Sequence, residues 1–142
     1  MSNQLALKTS TVINAPVSKV WDALTNPEVV KEYFFDTNLI TDWKEGEPIR
    51  FTGVWDGVAY EDKGIVLKFE PEYYLSYNYW SSFSGTEDIP ENYAKIEYIL
   101  ASVEGGTRLT VTQDNLKDEA AVTHSENNWQ MLFEEMRKLV EK

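Results

Sequence analysis

Hydrophobic and polar positions near the start of the chain predict one strand followed by two short helices. The β-branched run at residues 9–13 has no helical period and stops at Ala15-Pro16, which is typical of a strand that ends before a proline. Pro16 suits the first position of a helix whose apolar face carries Trp21. Asn26-Pro27-Glu28 then supplies an N-cap, a first-turn proline and an acid for a second helix.

Six further strands are predicted between these helices and the C-terminal region. Apolar alternation at 49–55, the tight-turn pair Asp56-Gly57 and a resumed strand at 58–60 indicate an antiparallel hairpin. Separate strands are predicted at 65–69 and 74–80, followed by a polar loop at 81–92. The last two strands, 93–103 and 107–115, flank a Glu-Gly-Gly turn and form a second hairpin.

From about Asp118 the hydrophobic period becomes helical and remains so to the end of the chain. One broad stripe of this helix consists of Val122, Ser125, Trp129, Leu132, Phe133, Met136, Leu139 and Val140. Two dozen helical residues extend about 36 Å, enough to cross an entire sheet. We therefore predict an α+β fold in one domain, residues 1–142, with a curved antiparallel sheet wrapped around a long C-terminal helix.

Several phrases of the sequence resemble one superfamily. Residues 13–25, INAPVSKVWDALT, look like the opening of the Bet v 1-like or START-like superfamily, SRPBCC. The phrase GGTRLTVT at 105–112 and the spacing of Trp129, Leu132, Met136 and Leu139 resemble the family named for the activator of heat-shock protein 90 ATPase. The resemblance implies the helix-grip fold with a central cavity, but members of such a fold differ in function. The eukaryotic activator carries an additional N-terminal domain, for which residues 1–8 leave no room, and this argues against chaperone activation.

Charge and composition restrict the classes of partner. The chain has 24 acidic and 13 basic residues, a formal net charge of −11, so its mean field repels phosphate backbones and we expect no nucleic-acid binding. Neither a secretory signal nor an apolar stretch of bilayer-spanning length is found, so we expect no membrane insertion. The absence of cysteine suits a reducing compartment, and we expect a cytoplasmic location.

No set of catalytic or metal-binding residues is evident in the sequence. The only histidine, His124, falls on the helix face opposite Trp129, where we expect it to face solvent. No cluster has metal-ligand spacing and no phosphate-binding glycine loop occurs, so we predict no catalytic residue, no metal and no cofactor. Acidic pairs such as Glu61-Asp62 are adjacent in sequence, so their side chains diverge, and we expect them to be solvated.

The predicted fold leaves room for a cavity. A strongly bent sheet cannot contact a straight helix along its whole length, so the N-terminal half of the helix can stand off from the sheet. Strand alternation and the helical stripe give nine candidate ligand-binding residues: Phe51, Trp55, Tyr77, Tyr79, Val111, Gln113, Val122, Ser125 and Trp129. Their apolar members could equally fill the core, and a slip of one residue in register would exchange each strand member for its neighbour.

Three functions fit this sequence. The first is non-catalytic binding of an apolar or amphipathic small molecule that enters near the 81–92 loop, which the aromatic content of 13% favours. The second is a cyclase- or hydrolase-like enzyme for an aromatic or polyketide-like substrate, marked by a buried carboxylate or tyrosine with a shifted pKa facing the cavity. The third is a chaperone-associated interaction domain, marked by a filled interior and an exposed apolar patch. An exposed sheet edge or tryptophan could also support a homodimer.

Overall fold

The architecture is a seven-stranded antiparallel sheet, two short helices and one long helix. The computed structural model describes residues 5–33, 37–55, 57–81, 87–116 and 118–141, with Trp55 described by its backbone only. The elements in chain order are β1 (Leu5–Ile13), α1 (Val17–Thr25), α2 (Pro27–Tyr33), β2 (Asn38–Thr41), β3 (Pro48–Trp55), β4 (Val58–Glu70), β5 (Tyr74–Tyr79), a 3-10 turn (Pro90–Asn92), β6 (Ala94–Val103), β7 (Gly106–Leu116) and α3 (Glu119–Val140). The strand order is β1-β7-β6-β5-β4-β3-β2. The predicted α+β helix-grip fold is confirmed.

Two of the strand predictions are wrong, although six strands do follow the helices. Strand β2 was not predicted. The strands predicted at 58–60 and 65–69 are one continuous strand, because β4 pairs with β3 as far as Ile65 and with β5 from Val66 onward. The polar stretch 61–64 is therefore held in the sheet by its neighbours and does not form a loop. Strand β1 also begins at Leu5 and not at residue 9.

At Gly64, strand β4 lies directly against the backbone of Asn78. A Cβ atom at this position would lie 1.7 Å from the carbonyl oxygen of Asn78, so only a residue without a side chain fits. The Asn78 side chain accepts a hydrogen bond of 2.7 Å from the backbone N–H of Ile65. This contact fixes the two strands against each other and so fixes the face toward which Tyr77 and Tyr79 project.

Helix α2 starts at its predicted cap, and α3 starts at a cap that was not predicted. Asn26 Oδ1 accepts from the Glu28 N–H at 3.1 Å, and Asp118 Oδ1 accepts from the Ala121 N–H at 2.8 Å. Helix α1 differs slightly, because Pro16 keeps an extended backbone (ψ 157°) and the first helical residue is Val17. Each helix nevertheless begins at its proline or capping residue.

Helix α3 is packed unevenly along its length. Its fully packed side chains, Leu132, Phe133, Met136 and Val140, all lie in its C-terminal half and belong to the core. The C-terminal end is tied down, since Glu141 Oε2 accepts a hydrogen bond of 2.8 Å from the Asn14 N–H. In the N-terminal half, Val122, Ser125 and Trp129 are only half-buried. The helix therefore leaves space between this half and the sheet.

Candidate functional site

A cavity of about 230 Å³ lies between the sheet and the N-terminal half of α3. The residues that line it are Phe51, Tyr77, Tyr79, Ile96, Gln113, Ser125, Asn128, Trp129 and Leu132. The strand residues among them come from β3, β5, β6 and β7, from positions that project to one face of the sheet. Ser125 is half-buried and Asn128 is exposed, so the helix provides a polar rim where the cavity meets solvent.

Six of the nine predicted ligand-binding residues line this cavity: Phe51, Tyr77, Tyr79, Gln113, Ser125 and Trp129. Val111 does not, because it is 0% exposed and packed on all sides in the core. Val122 lies in the first turn of α3, half-buried and outside the lining set. The side chain of Trp55 lies outside the described residues. Contact of any of these residues with a ligand stays a prediction.

Three lining residues were missed, and two of them had a detectable signal. Ile96 pairs with Tyr77 on one side and with Gln113 on the other, so correct strand pairing would have placed it in the same row. Leu132 lies on the predicted apolar stripe, three residues after Trp129, and so on the same helix face. Asn128 is polar and exposed, and no sequence pattern distinguishes it from the other surface residues of α3.

The back of the cavity is a continuous series of aromatic rings. Phe51 lies 5.6 Å from Tyr77 and 5.7 Å from Tyr79 between ring centroids. Tyr77 lies 6.0 Å from Tyr98, which meets Trp129 edge to face at 5.9 Å and 82°. Tilted and edge-to-face contacts are the favoured arrangements of such rings. The rings therefore hold one another in place and form a stiff wall from β3 to α3.

A second, much smaller space adjoins this wall. It measures about 10 Å³ and is lined by Leu24, Tyr33, Tyr98, Trp129, Leu132, Phe133 and Met136. Trp129 and Leu132 line both spaces. These two side chains are therefore the partition between the larger cavity and the packed core.

Two hydrogen bonds organise the polar groups of the wall. The Trp129 indole N–H donates to Gln113 Oε1 at 2.9 Å and so links α3 to β7. The hydroxyl oxygens of Tyr77 and Tyr98 lie 3.0 Å apart and share one hydrogen bond. Burial raises the pKa of Tyr77 well above its usual value, with Tyr98 adding to the effect, and burial raises the pKa of Tyr98 to about 12. Both hydroxyls are therefore protonated at neutral pH, and one donates its hydrogen to the other.

Tyr79 joins the cavity to a buried carboxylate. Its hydroxyl donates a hydrogen bond to Asp62 Oδ2. Asp62 is only 8% exposed, so the expectation that this acidic residue is solvated is wrong. The reason is that β4 turns Asp62 inward, toward Tyr79 on β5, where the phenol replaces water. Burial, followed by the negative charge of Asp62, raises the pKa of Tyr79 well above its usual value.

His124 is exposed on α3, as predicted. In the part of the chain that the structure describes, no group of three or more histidine or acidic side chains could hold a metal ion. None of the helices in these residues combines the length and apolarity that a bilayer-spanning segment needs.

The chain was compared with known proteins. The family model described as activator of Hsp90 ATPase homolog 1-like protein matches residues 14–141. A Cytophaga hutchinsonii protein of known solution structure is 44% identical, with a TM-score of 0.87 over 99% of this chain and 97% of that protein. A Mesorhizobium loti protein, solved by X-ray crystallography, is 21% identical, with a TM-score of 0.78 over 96% of this chain and 97% of its own.

One further neighbour has a described genetic context. DynU16, a protein in the dynemicin biosynthetic locus, is 21% identical with a TM-score of 0.79, and the match covers 96% of this chain but 47% of DynU16. At this identity, DynU16 and the Mesorhizobium loti protein show similarity of fold alone. Among curated proteins, none matches the chain. Because the family model covers nearly its whole length, the chain belongs to the family of activator of Hsp90 ATPase homologue 1-like proteins.

Proposed function

We propose that the protein binds a small apolar or amphipathic molecule in the cavity under α3 and does so without catalysis. The observation that carries this proposal is a space of about 230 Å³ with a wall of aromatic rings and a polar rim. Small-molecule sites are typically concave and mostly apolar, with a few polar groups that orient the ligand. An apolar cavity of about 150 Å³ in another protein holds a benzene molecule. The present cavity therefore suits a molecule of one or two fused rings.

The test is a titration of the ¹⁵N-labelled protein with one- and two-ring compounds, followed by native mass spectrometry of the protein from its own host. We expect the indole N–H signal of Trp129 to shift, because its ring lines the cavity. Ser125→Trp should fill the cavity and abolish the shift. Thr123→Trp is the matched control, since Thr123 is exposed on the same helix. An apo mass with no response to the panel, or unchanged binding in Ser125→Trp, contradicts the proposal.

An enzymatic function is the second candidate, and the pairing of Tyr79 with Asp62 is the observation that favours it. Because the Tyr79 hydroxyl donates its hydrogen to Asp62, its oxygen can accept a hydrogen bond from a substrate hydroxyl, and a proton can pass from that hydroxyl to the phenol oxygen as the phenol hydrogen passes to the carboxylate. An enzyme of this kind would convert an aromatic or polyketide-like compound that fits the cavity. Product analysis by mass spectrometry separates the two functions. The enzyme is supported if the protein converts a compound and Tyr79→Phe abolishes this turnover without abolishing binding. The binding protein is supported if every bound compound is recovered unchanged.

Chaperone or homodimer contacts rank below these functions. A pure interaction domain was expected to have a filled interior, whereas this one contains a cavity. On the outer face of the sheet, exposed Ile40 pairs with Arg50, which in turn pairs with Lys63, so charged side chains interrupt the apolar surface there. We also propose a cytoplasmic location, which the absence of cysteine suits.

A further inference from the structure

We infer that the ligand of this cavity is a neutral, planar molecule with a hydrogen-bond acceptor such as a ketone oxygen, and that the amide NH₂ of Gln113 selects it. This inference rests on the proposed binding function and names the chemistry of the ligand. Two observations support it: some hydrogen-bond donors of the cavity wall have no acceptor among the described residues, and the charges beside the cavity are unfavourable for an anion.

The orientation of the Gln113 amide is fixed by its neighbour. The indole N–H of Trp129 can only donate, so the atom of Gln113 that faces it at 2.9 Å is the oxygen, Oε1. The nitrogen, Nε2, then carries two hydrogens on the other side of the amide group. None of the described residues forms a hydrogen bond with Nε2. This nitrogen is not fully buried, and Gln113 lines the cavity, so a ligand in the cavity can reach it. Gln113 therefore presents a donor to a ligand.

The tyrosine hydroxyls of the wall point to the same preference. Tyr77 and Tyr98 share one hydrogen bond, which uses one of their two hydroxyl hydrogens; when Tyr98 is the donor, the hydrogen of Tyr77 is left for a ligand in the cavity that Tyr77 lines. Tyr79 already donates its hydrogen to Asp62. A ligand that covers a donor with a spare hydrogen, as Gln113 Nε2 is, without offering an acceptor leaves that donor unpaired.

The charge around the cavity disfavours an anionic ligand. Among the residues that the structure describes, those that line the cavity include no lysine, arginine or histidine. Tyr79 of the wall donates its hydrogen bond to the Asp62 carboxylate, which places a negative charge beside the wall. A carboxylate ligand would be transferred from water to an apolar site without a counter-charge and close to a like charge, which is costly. A neutral carbonyl oxygen satisfies the Gln113 donor without this cost.

Three probes of nearly the same shape test the inference: 2-acetylnaphthalene, 2-isopropenylnaphthalene, which has a methylene group in place of the ketone oxygen, and 2-naphthoate. Each is titrated into the ¹⁵N-labelled protein at neutral pH. We expect the ketone to bind about tenfold more tightly than the alkene, the usual effect of one hydrogen bond to an otherwise unpaired donor. The naphthoate should bind more weakly than the ketone, and the side-chain amide signal of Gln113 should shift with the ketone but not with the alkene.

Two variants assign the preference to one residue. In Gln113→Leu we expect the ketone to lose its tenfold advantage while the alkene binds no more weakly than before. Gln130→Leu is the matched control, because Gln130 also links α3 to a strand, through a hydrogen bond of 2.7 Å from Nε2 to Thr9 Oγ1, but does not line the cavity. It should retain the full preference.

The outcomes separate this inference from the function on which it rests. Equal affinity of the wild-type protein for ketone and alkene, or tighter binding of the naphthoate, overturns the inference and leaves the binding function standing. Failure of all three probes to bind overturns both. Since the comparison of probes in the wild-type protein needs no variant, the test stands even where a substitution prevents folding.

Discussion

The hydroxyl groups of Tyr77 and Tyr98 share one hydrogen bond inside the protein, with their oxygens 3.0 Å apart and the two residues only 5% and 8% exposed. Their surroundings differ, because Tyr77 borders the cavity of about 230 Å³ whereas Tyr98 borders the space of about 10 Å³. Water in the larger cavity can replace a lost partner of Tyr77, but the smaller space has little room to do so for Tyr98.

Tyr77→Phe should consequently destabilise the fold more than Tyr98→Phe. We expect a loss of about 2 kcal/mol for Tyr77→Phe, which leaves the Tyr98 hydroxyl buried without a partner, and about 1 kcal/mol for Tyr98→Phe. Urea unfolding at pH 7 measures both free energies. The double variant should cost less than the sum of the two single variants, and the opposite order of the single variants would contradict the explanation.

Gly64→Ala should be among the more damaging single substitutions in the sheet. The added methyl group would meet the Asn78 carbonyl oxygen at 1.7 Å and force β4 and β5 apart, at a cost of about 3 kcal/mol or more. Gly46→Ala is an informative comparison, because Gly46 has open space around its Cβ position and only its φ of 87° opposes a side chain. It should cost about 1 kcal/mol. If steric contact at Gly64 were unimportant, thermal unfolding would show the same loss of stability in Gly64→Ala and Gly46→Ala.

The carboxylate of Glu97 should make stability depend on acid pH. Hydrogen bonds from the hydroxyls of Tyr74 and then Thr112 lower the pKa of Glu97 below 4.5. A group with a lowered folded-state pKa stabilises the fold above its unfolded-state pKa, and that contribution is lost as the pH falls through the folded-state pKa. We therefore expect Glu97→Gln to cost about 1 kcal/mol at pH 7 and less at pH 3.

Urea unfolding of the wild-type protein and Glu97→Gln at the two pH values checks this expectation. The control is Glu135→Gln, which removes only an exposed ion pair with Lys138 at 3.4 Å. Pairs of this kind contribute little, so its effect should stay below about 0.5 kcal/mol at both pH values. A difference between wild type and Glu97→Gln that grows toward acid pH would show that the sign is wrong.

Substitutions along α3 should reveal its uneven packing. Met136→Ala removes a side chain that is 3% exposed in the core and should cost about 2 to 4 kcal/mol. Val122→Ala, in the half-buried N-terminal turn, should cost less than about 1 kcal/mol. Similar losses of unfolding free energy at the two positions would contradict the description of α3 as a helix anchored at its C-terminal half.

The sequence pattern predicts the inward face of the sheet better than it predicts the neighbours of each strand. Phe51, Tyr77 and Tyr79 lie on the cavity wall because strand alternation is a local property that can be read from spacing. Asp62 was misjudged because its burial depends on Tyr79, which is 17 positions away and reaches it only once β4 and β5 pair. Strand β2 has four residues at the sheet edge, too few for a period to show.

Helix position could likewise be predicted more fully than cavity composition. The apolar stripe of α3 is a repeating signal over the whole helix, and Trp129 and Leu132 lie on it. Val122 lies on the same stripe but is not among the described residues that line the cavity of about 230 Å³, since the stripe does not indicate where along the helix the space begins and ends. That boundary depends on the curvature of the sheet, which strand residues far apart in sequence set together.

The uneven anchoring of α3 also sets how the protein moves. Local opening requires less free energy where few apolar contacts must be broken, so backbone amides in the first turns of α3 should exchange their hydrogens faster than those around Phe133. Opening of these turns would widen the cavity at its Ser125 and Asn128 rim without unfolding the core, which provides a route for a molecule to enter and leave. A bound ligand would then slow hydrogen exchange chiefly in this half of the helix, and the rate at which these turns open would limit how quickly the complex forms and dissociates.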